Sequence, residues 1–218
     1  MLFVAYDSAR RTVTAVADEL RAALPQFYPA IRCDLAEVAG VRLPRGSTCN
    51  YEELVLVGHS LGGLIVRRAL CDEAEVWHRS GGARTRLSPL LQARTRLFSP
   101  ASAGFRPSGF RALLLETKAL FLIRMILARS PAYIDLLSDS PILTNTKDRT
   151  EQLVTTYGPR LRALVPCILW ADPDNVVRDE RYNTDFHVWH QRPSTHSSVC
   201  KPTARYSRPR RFVEGCEK

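Results

Sequence analysis

The sequence predicts an α/β domain: a mostly parallel sheet flanked by helices. Strand-like apolar runs alternate with helical patterns along the chain, and no internal repeat interrupts them. Residues 54–57, Leu-Val-Leu-Val, form an unbroken branched apolar run, as expected of a parallel strand covered on both faces. That run passes through a short glycine-rich turn into a pattern with Leu61, Leu64, Ile65 and Ala69 on one helical face.

The elements follow in order. Residues 2–6 read as a short apolar strand. Asp7 or Ser8 can then cap a helix running to Leu24, with Val13, Val16, Ala17, Leu20 and Leu24 at helical spacing. A loop containing Pro44, Gly46 and Asn50 leads into the 54–57 strand and its helix. Residues 80–95 are polar and rich in glycine and arginine, which predicts an exposed loop. Residues 96–99 form a further short strand. An insertion around 100–145 carries an unusually apolar helix at 112–129 and a short helical piece at 133–137. Residues 150–164 are helical but broken by Gly158-Pro159, 165–170 form a buried strand, and 186–189 form the last one. One domain therefore spans 1–202, and the basic segment 203–218 is expected to be disordered.

The turn after the 54–57 strand is Gly58-His59-Ser60-Leu61-Gly62, a G-x-S-x-G pattern with an extra glycine at Gly63. An abrupt strand-to-helix turn strains the serine backbone, aims its hydroxyl out of the sheet and brings neighbouring elements close. Side chains at the flanking glycines would clash. The helix start behind Ser60 offers unpaired N–H groups to a developing oxyanion, and the Leu61 N–H would be the first donor. His59 neighbours the serine on an extended strand and so points to the opposite face, which predicts a structural role.

Composition bounds the rest. At 218 residues and 45% hydrophobic, the chain can bury one sizeable core. The most apolar stretch is interrupted by Glu116, Lys118 and Arg124, far short of the ~20 residues a bilayer requires. The first residues lack a basic region before the apolar one, and Asp7 arrives early. No signal peptide is read, and the expected location is the cytoplasm. Six cysteines are scattered without metal-ligand or paired spacing, so they read as free thiols. No metal or organic cofactor is implied. The net charge of +9 comes mostly from arginine spread along the chain, with Arg205, Arg208, Arg210 and Arg211 near the end. No nucleic-acid module accompanies it, so no nucleic-acid partner is expected; steeply salt-dependent binding would be its signature.

A serine hydroxyl needs a base, and the base needs an orienting acid. Asp172 and Asp174 both follow the 165–170 strand directly. His196 follows the last strand, with His187 and His190 as rivals on or beside that strand. His78, near the end of the helix after Ser60, reads as a surface residue.

The Val-Gly-His-Ser-Leu-Gly-Gly turn, the Asp-Asn-Val-Val turn after a strand and the run Thr195-His196-Ser197-Ser198 together resemble α/β-hydrolases of the lipase/esterase type, over residues 1–202. The resemblance implies Ser60 as nucleophile, His196 as base and Asp174 as acid, since the family's acid precedes a short apolar pair such as Val176-Val177. It implies hydrolysis of a small-molecule or lipid carboxylic ester. If the 112–129 helix forms a lid, an apolar acyl group is favoured; ordinary core packing is the other reading of that helix. Thioesters and amides would use the same residues. The family also has earlier strands and a His-Gly-rich loop giving a second oxyanion N–H, so the chain reads as N-terminally incomplete. A catalytically impaired, hydrolase-like binding module is the competing expectation.

Overall fold

The computed structural model describes residues 3–8, 10–31, 49–105, 130–137, 140–204 and 206–215. Its centre is a four-stranded parallel sheet in the order β3-β4-β5-β6: β3 is Val55–His59, β4 Arg94–Phe98, β5 Cys167–Ala171 and β6 His187–Gln191. Helices flank it, so the α/β class holds. A separate antiparallel pair joins β1 (Ala30–Ile31) to β2 (Cys49–Asn50).

Alternation along each strand divides the core. Leu97, Ile168 and Trp170 face one layer, where α1 (Val13–Ala23) packs on α2 (Leu61–Arg79) and α4 (Pro141–Tyr157) packs beside α2. Phe98, Leu169 and Ala171 face the other, with Val199 and Phe212. Of the predicted helical stripe, Leu64, Ile65 and Ala69 are each at most 4% exposed and Leu61 is half-buried.

Several boundaries differ from the sequence reading. Phe3 to Tyr6 form no strand, and Phe3 is 81% exposed; an apolar run becomes a strand only where another backbone pairs with it. Leu2 lies outside the described residues. The first helix starts at Val13, because the Thr12 hydroxyl caps it from the Ala15 N–H at 3.2 Å. Asp7 instead closes a separate turn, its carbonyl accepting from Arg10 and Arg11. The short piece predicted at 133–137 is α3, Pro131–Asp135. The helix expected at 150–164 begins earlier, at Pro141, which suits a first helical turn, and stops at Gly158 with φ 55°. The apolar helix expected at 112–129 lies outside the described residues.

The segment after Ser207 is the main correction. Where disorder was expected, residues 208–214 form α5, Arg208–Glu214, with Pro209 in its first turn and Gly215 in the left-handed conformation just past its end. Phe212 is 2% exposed and lies edge-on to Phe98, with ring centroids 5.0 Å apart. Arg96 Nε donates to the Phe212 carbonyl at 3.0 Å, satisfying one of the last helical acceptors. The basic composition conceals a single well-placed aromatic anchor.

Candidate active site

The turn between β3 and α2 is as sharp as the motif demands. Ser60 has φ 53° and ψ −123°, a conformation costly for any residue but glycine. Its side chain does not cap α2. The steric need for glycine falls on Gly58 and Gly63. A Cβ at Gly58 would lie 2.8 Å from Gly63 Cα, and one at Gly63 would lie 2.7 Å from Pro100 Cβ. At Gly62 the nearest neighbour would be the Tyr6 hydroxyl at 3.8 Å, ordinary contact, so the motif's second glycine is not sterically forced.

The parallel sheet carries the other groups to the same edge, because the carboxyl ends of all its strands point one way. The loop after β5 folds round Asp174, whose Oδ1 accepts the N–H groups of Val176 (2.9 Å) and Val177 (3.1 Å). Burial of Val176 and Val177 anchors that turn. The loop after β6 brings His196 to the same carboxylate, Nδ1 to Oδ2 at 2.9 Å, both side chains 1% exposed. Burial alone would raise the Asp174 pKa. The hydrogen bond and charge of His196, then the Val176 N–H and the Ser99 hydroxyl, outweigh it and hold the carboxyl below its usual range. His196 Nε2 is buried and has no hydrogen-bond partner among the described residues.

His59 contacts the same histidine. Its Nε2 stands 2.8 Å from the His196 carbonyl oxygen, and the two rings lie 4.8 Å apart at 42°. Burial, then the positive charge of His196, lowers the His59 pKa to about 4. The ring is therefore neutral at pH 7, and since a carbonyl only accepts, its proton sits on Nε2. The strand alternation that predicted a structural role for His59 did not reveal this contact, which depends on how the loop after β6 returns.

The rival residues lie elsewhere. Asp172 pairs with Arg192. His190 stands 3.8 Å from Asp179 and within hydrogen-bond distance of Arg181, while His187 is exposed and stacks near Trp189. His78 contacts the Tyr157 hydroxyl. An open crevice of about 800 Å³ flanks Asp174, lined by Asp172, Asp179, His190, Arg192 and Arg208 among others; Ser60 and His196 are not on its walls.

Ser99 was missed in the sequence. It sits at the end of β4 with φ 36°, fully buried, and its hydroxyl accepts the Ala171 N–H at 3.0 Å. Nothing in a lone serine after a strand signals this. Among the described residues no cluster of three or more His, Cys, Asp or Glu could hold a metal, and no helix is long and apolar enough to cross a membrane. Compared with known proteins, the chain matches no family model, no curated protein and no solved structure.

Proposed function

We propose that this chain is an α/β-hydrolase-type serine hydrolase that cleaves carboxylic esters. One observation carries the reading: a buried Asp174–His196 pair whose second imidazole nitrogen is unpartnered, packed against the residue preceding a serine held at positive φ.

In this reading Ser60 Oγ attacks the acyl carbonyl while His196 Nε2 takes its proton. Asp174 holds the imidazole through the Nδ1 proton and stabilises the imidazolium. The Leu61 N–H at the start of α2 donates to the oxyanion, which collapses as His196 protonates the departing alkoxide. Water, deprotonated by the same imidazole, then attacks the acyl-serine ester and releases the acid. No hydrogen bond joins Ser60 to His196 among the described contacts; such bonds commonly tighten only when substrate binds. Support for an apolar acyl group comes from the sequence of residues 112–129.

The test is labelling of the purified chain with a fluorophosphonate, mapped by mass spectrometry, followed by an ester panel of graded acyl length. Selective modification of Ser60, lost in Ser60→Ala, is the expected result. A folded chain that neither labels nor hydrolyses any ester would overturn this reading in favour of a catalytically impaired or inactive hydrolase-like protein.

A further inference from the structure

Arg67, Thr95 and Thr150 come together beneath the helix that follows Ser60. Arg67 stands on α2, Thr95 on β4 and Thr150 on α4, and with Ala163 and Leu164 from the turns after α4 they line a cavity of about 10 Å³. Each of these five residues is at most 4% exposed, so the cavity lies in the interior.

Its walls carry surplus donors on one side and spare acceptors on the other. Arg67 gives Nη2 to both oxygens of Asp185, at 2.9 and 2.8 Å, while its Nε and Nη1 are buried without a hydrogen-bond partner among the described residues. Guanidinium N–H groups buried unpaired lose their hydration with nothing in return. The threonines have the opposite deficit. The Thr95 hydroxyl donates to the Ala163 carbonyl at 2.7 Å and the Thr150 hydroxyl to the Thr146 carbonyl at 2.6 Å. Each bond uses the single hydroxyl proton and leaves oxygen lone pairs that only accept.

Size and charge then select the guest. A single water needs roughly 10–15 Å³ of room and typically forms about three hydrogen bonds inside a protein. Asp185 already balances the Arg67 charge, so the site calls for a neutral molecule that both accepts and donates. We propose that the cavity is a binding site for one internal water, which accepts from Arg67 and donates to Thr95 and Thr150, and so joins α2 to β4 and α4. This linkage holds whatever chemistry Ser60, at the start of α2, performs.

A crystal structure that orders internal waters tests the site. One density peak is expected within hydrogen-bond distance of an Arg67 nitrogen and of both threonine hydroxyls; a cavity without density, or a peak held by other groups, would overturn it. In solution, Thr150→Val removes one acceptor and keeps the shape. Its control is Thr156→Val on the same helix, where the Thr156 hydroxyl bonds the Gln152 carbonyl at 2.8 Å but is exposed. Oxygen-17 relaxation dispersion should register a long-lived water in the wild type and in Thr156→Val, and lose one water's share of that amplitude in Thr150→Val. The urea midpoint of Thr150→Val should fall below that of Thr156→Val. A dry cavity reverses that order, because a methyl group then replaces a hydroxyl against apolar walls. Equal dispersion amplitudes in all three proteins would likewise remove the site. Should Thr150→Val not fold, the wild-type crystal density decides alone.

Discussion

His59 donates its Nε2 proton to the carbonyl oxygen of His196 across 2.8 Å, so the residue before the serine grips the backbone of the histidine proposed as its base. The register of β3 thus sets both Ser60 and the loop that presents His196. His59→Gln keeps an amide donor of comparable reach, whereas His59→Ala leaves the buried carbonyl without a partner. We expect His59→Ala to lower labelling at Ser60 about tenfold and stability by ~1–3 kcal/mol, with His59→Gln between it and wild type. Stopped-flow labelling and urea titration would read both effects; equal behaviour of the two variants would argue against the bond.

The same histidine makes stability depend on pH. Its folded pKa of about 4 lies below the value of ~6.5 in an unfolded chain, so between these limits the unfolded state binds more protons. Stability from keeping His59 neutral is full above pH ~6.5 and is lost as pH falls through about 4. We expect midpoints of urea unfolding to drop over that window, and His59→Gln to flatten the drop. A wild-type curve flat from pH 7 to 4 would contradict the burial of this ring.

How much was legible depended on whether a feature was local. The 54–57 run, the Leu61, Leu64, Ile65 and Ala69 stripe and the strand before Asp174 depend on residues near one another in sequence, and β3, α2 and β5 form there. Asp172, Asp174 and His196 were candidates because they follow predicted strands, and it was the resemblance to α/β-hydrolases that singled out Asp174 and His196. His59 against His196 and Ser99 against Ala171 join residues 137 and 72 positions apart, and no pattern along the chain encodes them. The described part of the 2–6 run, Phe3 to Tyr6, failed as a strand for the same reason, since pairing is not a property of the run itself. In the tail, Pro209 and Gly215 were readable start and stop signals, but the density of arginine outweighed them.

The glycines around Ser60 should differ in tolerance. A methyl at Gly63 would meet Pro100 at 2.7 Å and push the loop after β4, whereas Gly62 has only ordinary contact. We expect Gly63→Ala to cost roughly 1–3 kcal/mol and to impair Ser60 labelling. Gly62→Ala should stay within about 1 kcal/mol of wild type. Chemical denaturation of the two variants side by side tests the distinction, and equal losses would sink it.

The helix at the C-terminal end should behave as part of the core. Phe212→Ala removes a ring packed between Phe98 and Trp189, with centroids at 5.0 and 6.1 Å, and should cost about 3–5 kcal/mol. Arg210→Ala, whose partner Glu214 is exposed on the same helix, should leave the urea midpoint close to that of the wild type. If Phe212→Ala is as mild as Arg210→Ala in urea titration, α5 is not docked as described.

Arg67 and Asp185 tie the helix behind Ser60 to the loop that follows Asp174. Arg67 Nη2 reaches both carboxylate oxygens at 2.9 and 2.8 Å, Asp185 Oδ2 also accepts the Tyr182 N–H at 2.9 Å, and the guanidinium lies 4.1 Å from the Tyr182 ring centroid. The side chains are 4% and 1% exposed. Removing one partner strands the other charge, so Arg67→Met should cost ~3–5 kcal/mol. Replacing both, as Arg67→Met with Asp185→Leu, leaves no buried charge and should recover part of that loss, although Tyr182 N–H then lacks its acceptor. A double-mutant cycle in urea measures the coupling. Additive losses would show that the two side chains do not act as a pair, and that the loop carrying Asp174 is held to α2 by packing instead.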